Sequence, residues 1–482
     1  MHCRRASGVC GIAIAVWIVL GVATASDAAG LPLRAGAFAQ DVTPPRFPIT
    51  VNGNMSDHFA QAAHDPLHAR CLVLANDETS LAIVVVDSCM IPREIMDSAK
   101  RRAAYRTGIP ASHILISATH AHSCPTVGGV FQSDPDADYQ LFLADRIADG
   151  IERAAKQLEP AKIGWAVAEN PHQLFNRRWK LKEGILGENP FGQKVDLVRM
   201  NPGYNNPDVT EPAGPIDPQV SVLAVQSRGG RPIAVLANYS LHYVGGVPGD
   251  VLSADYYGEF SQRIVRLIGA TQTDPPCVGI MSNGTSGDVN NVNYALTAGP
   301  KRQPFEQIGI VAESVAQTAY AAYQTIQYDD APVLAVREAE VDLGVRKPTA
   351  EDVAQARQWL ADAGPGPYRD RKHIYARETV LLAEYPATVK ARLQAIRVGN
   401  LGIVSSPCET FTETGLAIKS HSPLKHTFTI ELANGYNGYL PTPQQHAWGG
   451  YETWRARSSY LAVDAEPRIR ETLLGLLGEV AK

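Results

Sequence analysis

Two continuous apolar runs set the pattern from which the fold can be predicted. LAIVVVDSCMI covers residues 81–91 and HILISATHAH covers residues 113–122. Both runs lack regular polar alternation and are rich in β-branched residues, which is typical of strands buried on both faces. The segment between them, REIMDSAKRRAAYRTG, is helix-like. The pattern therefore predicts a strand–helix–strand unit with two parallel strands.

Strand-like and helix-like segments continue to alternate to about residue 435. The strand candidates are KIGWAVAE, VSVLAVQ, PIAVLANYSLH, CVGIMSNG, LQAIRVGNLGIVSSP and TFTIELANG. The helix candidates are DYQLFLADRIADGIERAAKQL, YYGEFSQRIVRLIG, FEQIGIVAESVAQTAYAAYQTI and TAEDVAQARQWLADAG, the last with a capping box from Thr349 to Asp352. No compositional break divides the chain, so we predict one large mixed α/β catalytic domain over residues 31–482, with a central parallel or mixed sheet. The irregular stretch 201–218 is expected to be an ordered surface loop near the site.

The first 30 residues have the composition of a secretory signal. A short basic start, MHCRR, precedes an apolar stretch and then the small residues of ATASDAAG. An N-terminal membrane anchor is the alternative, but the apolar run is close to the minimum length for a span. We therefore expect a signal peptide at 1–30 and a secreted or periplasmic protein.

Charge and cysteine content exclude some classes of protein. The formal net charge is −5 and no basic run occurs, which argues against a nucleic-acid partner. Five cysteines remain after the leader, an odd number whose spacing matches no zinc-ribbon or disulfide framework. We expect some of them to be buried free thiols, and one disulfide remains open. These cysteines are Cys71, Cys89, Cys124, Cys277 and Cys408.

Candidate chemistry begins at the end of the second apolar run. His120 and His122 are two residues apart, so in an extended strand both side chains point to the same face. The strand PIAVLANYSLH ends in the same way, on His242. Strand carboxyl ends are where open α/β sheets place their ligands. Each histidine taken alone could be structural, but the repeated position favours a functional interpretation.

Other polar residues also follow strand-like segments, where each could equally be a cap or turn residue. They are Asp87, Asp288, Glu409, Tyr436 and Tyr439. Two histidines and a carboxylate around an open position suit a hydrolytic zinc ion. The motifs of other hydrolase and nucleotide-binding classes are missing, since the sequence contains no GxSxG, HExxH, P-loop or helix-opening GxGxxG.

A series of motifs resembles the neutral (non-lysosomal) ceramidases, in the same order along the chain. THAHSCPTVGG is similar to their His-Thr-His-Ser-Gly-Pro-Gly-Gly segment, and FNRRW to their Asn-Arg-Ser segment. NYSLH resembles their second zinc-histidine strand, and SNGTSGDVNN their Asn-x-Gly-Asp-Val-Ser-Pro-Asn segment. SSPCETFTETG and ANGYNGYLPTPQQHAWGGYET resemble the Pro-Gly-Glu-Phe-Thr and tyrosine-rich segments, and AHDPLHARCLVL an early Ala-Arg segment. The resemblance covers roughly residues 36 to 455.

The resemblance implies a mononuclear zinc ion and a set of site residues. The implied metal ligands are His120, His242, Glu409 and Tyr439. The implied catalytic residues are His122, Arg177 and Tyr451. The implied substrate is an N-acyl lipid, and a transient contact with a membrane surface would bring the enzyme to it.

The chain also departs from the family pattern. The C-terminal β-sandwich domain of neutral ceramidases is not expected here, because only about 30 residues follow Tyr451. Cys124 and Cys408 stand where the family has glycine, and Arg178 stands where it has serine.

These departures leave two further functions open. One is a zinc esterase or deacylase acting on an acylated glycan or small ester, for which Trp179, Trp448 and Trp454 would provide platforms. The other is a noncatalytic binding protein.

Overall fold

The computed structural model describes residues 1–2 and 31–482 of the chain. The predicted signal peptide lies outside the described residues, apart from its first two positions. Within the described part, no helix is long and apolar enough to cross a membrane.

Two sheets form the framework of the molecule. The strands of the main sheet are β1 (Arg34–Asp41), β2 (His68–Ala75), β3 (Ser80–Val86), β4 (Ile114–Ala118), β5 (Glu159–Glu169), β6 (Gln219–Ser227), β7 (Pro232–Tyr239) and β8 (Val278–Asn283). Their order across the sheet is β8-β7-β6-β5-β1-β2-β3-β4. The second sheet has the order β9 (Leu334–Gly344), β10 (Thr388–Val398), β11 (Leu401–Ser405) and β12 (His426–Ile430). The predicted mixed sheet is confirmed, although antiparallel pairs predominate in it.

Nine α-helices lie in residues 31–482. They are α1 (Arg93–Thr107), α2 (Ala137–Lys156), α3 (Asp255–Leu267), α4 (Glu306–Tyr323), α5 (Ala350–Ala363), α6 (Arg371–Ala383), α7 (Thr412–His421), α8 (Pro443–Trp448) and α9 (Ala465–Val480). The predicted capping box of α5 is present, with Thr349 and Asp352 each bonded to the other's backbone. Helix α1 ends at Gly108, whose φ of 75° is the left-handed conformation that glycine adopts without strain.

The predicted strand–helix–strand unit is β3-α1-β4, and its two strands pair in parallel. In β3, alternate residues Ala82, Val84 and Val86 pack against the layer of α1–α4. Leu81, Ile83 and Val85 instead face the second sheet. Burial on both faces explains the continuous apolar run. The molecule thus has helices, main sheet, second sheet and further helices in successive layers, with α9 covering the outer face of the second sheet.

The short strands hold the loops around the sheet ends. They are Ile49–Thr50, Phe59–Ala60, Ala62–Ala63, Phe175–Asn176, Arg178–Leu181, Gly187–Glu188, Lys194–Asp196, Val198–Met200, Val209–Pro212, Val251–Leu252, Val289–Asn290, Glu409–Thr410 and Tyr439–Leu440. The stretch 201–218, expected to be a loop, includes one of them: Val209–Pro212 pairs with Arg178–Leu181. Among the described residues, helix α9 is the last element.

Candidate metal centre and active site

The carboxyl ends of two distant strands are brought together at one end of the main sheet. His120 and His122 follow β4, whereas His242 follows β7 near the opposite edge. The chain after β12 lies between the two edge strands. Ala118 N donates to Leu432 O at 3.1 Å, and Glu431 N donates to Asn283 O at 3.1 Å. This segment connects the sheet edges, so the histidines of both strands reach the same place.

Three side chains form a compact, buried cluster. His120 Nε2 lies 3.1 Å from His242 Nε2 and 3.3 Å from Glu409 Oε2. One ligand atom from each of the three lies within 4.8 Å of the others. His120 has a φ of 74°, which is unfavourable for a non-glycine residue and marks a position held by its surroundings.

The hydrogen bonds of the two imidazoles direct their lone pairs into this cluster. His120 Nδ1 lies 2.8 Å from Cys89 O, and His242 Nδ1 lies 3.1 Å from Ser286 O. A carbonyl oxygen only accepts, so each Nδ1 must carry a proton, and each ring in its neutral form presents an unprotonated Nε2. Glu409 Oε2 is buried without a hydrogen-bond partner. These donors fit a divalent cation, whose charge would offset the facing lone pairs and the carboxylate.

The electrostatics of the cluster favour positive charge at this point. Burial lowers the pKa of His120, but the neighbouring Glu409 and Cys89 outweigh burial and raise it well above the usual value. Burial raises the pKa of Glu409, yet the charge of His120 brings it below the usual range. Burial together with nearby cationic groups keeps the pKa values of His122 and His242 well below normal. The cluster therefore favours one positive charge beside Glu409, with His122 and His242 neutral.

The second sheet supplies the carboxylate and the tyrosine. Glu409 and Tyr439 are directly opposite each other in a short parallel pair, Glu409–Thr410 with Tyr439–Leu440. Tyr436 Oη donates to Glu409 Oε1 at 2.8 Å. Arg177 Nη2 donates to Tyr439 Oη at 3.1 Å. The four residues implied as metal ligands are thus neighbours in the structure, together with Tyr436.

Arg177 is held by a buried carboxylate that the motifs did not identify. Arg177 Nε donates to Glu452 Oε1 at 3.0 Å, and Arg178 Nη1 donates to the other oxygen, Oε2. Arg178 is fully buried and also binds Gln445 Oε1 at 3.0 Å. Arg178, which occupies the position of a serine in the family pattern, therefore orients Glu452, and Glu452 orients Arg177.

His122 and Tyr451 border the cluster on two sides. The Nε2 atoms of His122 and His120 are 3.1 Å apart. The ring of Tyr243 stacks on His122 with 3.7 Å between centroids, and both residues line a cavity of 180 Å³. Tyr451 packs edge-on against Tyr439 at 5.8 Å and lines a second cavity of 490 Å³. These two of the three residues implied as catalytic thus connect the buried cluster to open space.

Sequence reasoning missed Glu452, Tyr243 and the segment that connects the sheet edges. Tyr243 directly follows His242 and Glu452 directly follows Tyr451. Their adjacency to candidate site residues was the available signal.

Two other strand-end candidates have structural contacts instead. Asp87 forms a buried ion pair with Arg70 at 2.7 Å. Asp288 accepts from Thr412 N at 2.9 Å and from Asn176 Nδ2 at 2.7 Å. Both carboxylates hold loops around the site, and neither belongs to the cluster of candidate ligands.

The cysteines of the described chain are all free and buried, so the disulfide left open from the sequence is not formed among them. Cys124 Sγ donates to Ser253 O at 3.5 Å, and Cys408 lies in the core under the second sheet. Both departures from glycine are therefore packing positions. Cys89 Sγ lies 3.8 Å from His120 Nδ1, next to the cluster.

Fold and site together define a layered α/β protein with a buried His–His–carboxylate cluster at the ends of a mixed sheet. This is the fold of neutral ceramidases, and the resemblance found in the motifs is confirmed. The chain is 22% identical to neutral ceramidase from Pseudomonas aeruginosa over 531 aligned positions, covering 95% of this chain and 75% of the relative. No family model matches the sequence.

Two solved structures share the fold. The crystal structure of neutral ceramidase from Pseudomonas aeruginosa superposes with a TM-score of 0.70 at 19% identity, covering 93% of this chain and 74% of the other. A structure described as ceramidase complexed with C2 gives a TM-score of 0.71 at 18% identity, covering 94% and 75%. The main difference in extent lies in the relatives, a quarter of whose length has no counterpart in this chain.

Proposed function

We propose that this protein is a secreted or periplasmic zinc-dependent hydrolase that cleaves the amide bond of an N-acyl lipid. The observation that carries the proposal is the buried group of His120, His242 and Glu409, with their free ligand atoms within 4.8 Å of one another. Similarity to neutral ceramidase supports the substrate class, and the leader-like composition of residues 1–30 supports export.

Zinc would be held by His120, His242, Glu409 and Tyr439. Imidazole nitrogen and carboxylate oxygen are ligands that zinc accepts readily, and Tyr439 adds a phenol oxygen. When bound, zinc lowers the pKa of a water molecule and polarises the scissile carbonyl. The hydrogen bonds from His120 Nδ1 to Cys89 O and from His242 Nδ1 to Ser286 O fix both rings in the orientation that ligation requires.

The remaining residues of the site position the substrate and move the proton. His122 borders the cluster through its Nε2 and can accept a proton from the attacking water, then pass it to the departing amine. Arg177 and Tyr451 can donate hydrogen bonds to the carbonyl oxygen as it gains negative charge. Addition of water across the amide C–N bond yields a carboxylic acid and an amine.

A second candidate function is a zinc esterase or deacylase acting on an acylated glycan or small ester. Its support is the character of the cavity next to Tyr451. Trp454 lines this cavity together with the charged residues Glu188, Arg199 and Arg371. An open cleft with an indole surface and charged groups suits a polar substrate better than a deep apolar slot does.

Purified protein, tested with and without a metal chelator, distinguishes these functions. The two substrates are N-acyl sphingosine and an acetylated sugar. We expect chelator-sensitive release of fatty acid from N-acyl sphingosine. Chelator-sensitive activity on the acetylated sugar alone would favour the second function. Zinc content without turnover of either substrate would favour a noncatalytic binding protein.

A further inference from the structure

An open groove leads away from Tyr451, and we call it the Arg371 groove. Its inner part is the 490 Å³ cavity next to Tyr451, and its outer part is a cavity of 520 Å³. Glu188 and Arg371 line both parts, so the two cavities adjoin. Trp454 lies in the inner part and Trp359 in the outer part. The groove therefore continues outward from Tyr451, with one indole ring in each part.

A chain of ring contacts connects this groove to the candidate metal centre. Tyr439 packs edge-on against Tyr451 at 5.8 Å, and Tyr451 packs edge-on against Trp454 at 5.9 Å. The guanidinium of Arg371 then lies 5.5 Å from the centre of the Trp454 ring. These contacts mark a path past Tyr451 and Trp454 toward Arg371 for a substrate whose carbonyl reaches the candidate metal centre.

Most of the carboxylates near the groove already have hydrogen-bond or ion-pair partners within the protein. Asp196 is buried and accepts from Trp454 Nε1 at 2.8 Å. Asp208 Oδ2 lies 3.6 Å from Arg199 Nη1 and offsets the charge of that guanidinium. Asp370, at the start of α6, accepts from both His373 N and the His373 ring. Glu188 is thus the carboxylate of the groove lining that is left to face a ligand.

In contrast, two cationic side chains of the groove are available to bind an anion. Arg371 rests on Trp454, and Lys372 Nζ lies 4.5 Å from the centre of the Trp359 ring. Neither forms an ion pair among the described residues. Both belong to the first turn of α6, where the helix dipole adds positive potential. Stacking on indole orders a guanidinium while leaving its N–H groups free to bind an anion.

We propose that the Arg371 groove binds an anionic group at the far end of the substrate, a carboxylate, sulfonate or phosphate. This inference rests on the proposed function and deepens it. The preferred substrates are N-acyl compounds in which the amine half carries a negative charge, rather than a neutral amino alcohol. Arg371 is the residue that determines this preference, and Glu188 opposes it.

Matched substrates test the preference through kcat/KM. N-dodecanoyl ω-aminoundecanoic acid and N-dodecanoyl ω-aminoundecanol share the acyl chain, the amide and an amine half long enough to extend past Tyr451 and Trp454, but only the acid is anionic. We expect the wild type to prefer the acid. R371Q should reduce that preference roughly tenfold, chiefly through KM, as loss of a charge-assisted hydrogen bond predicts. E188Q should increase it, and R101Q, on the exposed face of α1, should leave it unchanged. A preference that is the same in R371Q and the wild type would overturn the inference.

A binding measurement distinguishes failure of this inference from failure of the proposed function. Titration of tryptophan fluorescence with N-dodecanoyl ω-aminoundecanoic acid and N-dodecanoyl ω-aminoundecanol requires no turnover. Tighter binding of the acid by the wild type, lost in R371Q and reduced by salt, supports the groove even if neither compound is hydrolysed. In that case the proposed hydrolase function fails alone. Equal binding of both compounds by the wild type would overturn the inference.

Discussion

The candidate metal centre and the Arg371 groove are neighbours, but their side chains are held differently. In the metal centre each imidazole and carboxylate is buried and fixed by a second partner, such as Cys89 O for His120 and Tyr436 for Glu409. In the groove, Arg371 and Lys372 are exposed and rest on indole rings. A centre held on all sides can keep its chemistry, whereas a groove of exposed charges can change its ligand with one or two substitutions. We therefore expect substitutions to separate the proposed reaction from the proposed substrate preference.

The largest expected effect comes from removing a ligand of the metal centre. His242→Ala should lower hydrolytic activity by about 1,000-fold or more, because several kcal/mol of transition-state stabilisation depend on the metal. His172→Ala, an exposed histidine outside the cluster, is the control and should retain activity. Circular dichroism of both variants checks that they are folded. Full activity of His242→Ala would show that the cluster is not the catalytic centre.

The buried Arg177–Glu452–Arg178 group should dominate local stability. Glu452→Ala leaves two buried guanidinium groups without their shared carboxylate, so we expect a loss of about 3–5 kcal/mol in the free energy of unfolding. Denaturant titration measures this loss. Glu211→Ala removes an exposed partner of Lys180 and should cost less than ~1 kcal/mol. A similar small loss for both variants would contradict the role assigned to Glu452.

Stacking on His122 should have an intermediate effect on activity. Tyr243→Ala removes the ring that packs on one face of the His122 imidazole. We expect kcat to fall about tenfold, in line with the energy of an aromatic pair. Tyr243→Phe keeps the ring and should remain within twofold of the wild type, an order-of-magnitude expectation from the same principle. If Phe is as defective as Ala, the hydroxyl rather than the stacking contact matters.

The thiols should have the smallest effect. Cys71, Cys89, Cys124, Cys277 and Cys408 are free and buried, so a reducing agent should leave the thermal midpoint unchanged. A thiol reagent should modify them only after unfolding, because burial raises the pKa of the thiols and excludes the reagent. A midpoint that falls under reduction would reveal a disulfide.

The sequence predicted those parts of the fold in which local pattern and burial coincide. The runs 81–91 and 113–122 predicted β3 and β4 because both faces of each strand are covered. The packing of one sheet on another was not foreseen, since apolar runs do not reveal whether their second face meets helices or strands. Strand β9 was missed because REAEVD within it is largely polar and its outer positions stay partly exposed.

In the site, too, local sequence pattern predicted some features, whereas others depend on long-range packing. His120, His122 and His242 stood out because each follows an apolar strand. Their meeting depends on the chain after β12 between the two sheet edges, a contact that no local pattern predicts. Glu452 went unnoticed because its partners, Arg177 and Arg178, lie 275 and 274 positions away along the chain.

The central claim is that one zinc ion bound by His120, His242, Glu409 and Tyr439 supports hydrolysis. Elemental analysis of the purified protein, combined with chelation and metal return, tests it most directly. We predict about one zinc per chain in the wild type, loss of activity on removal of the metal, and recovery when zinc is restored. Protein that contains no zinc and hydrolyses its substrate at full rate in the presence of chelator would contradict the account.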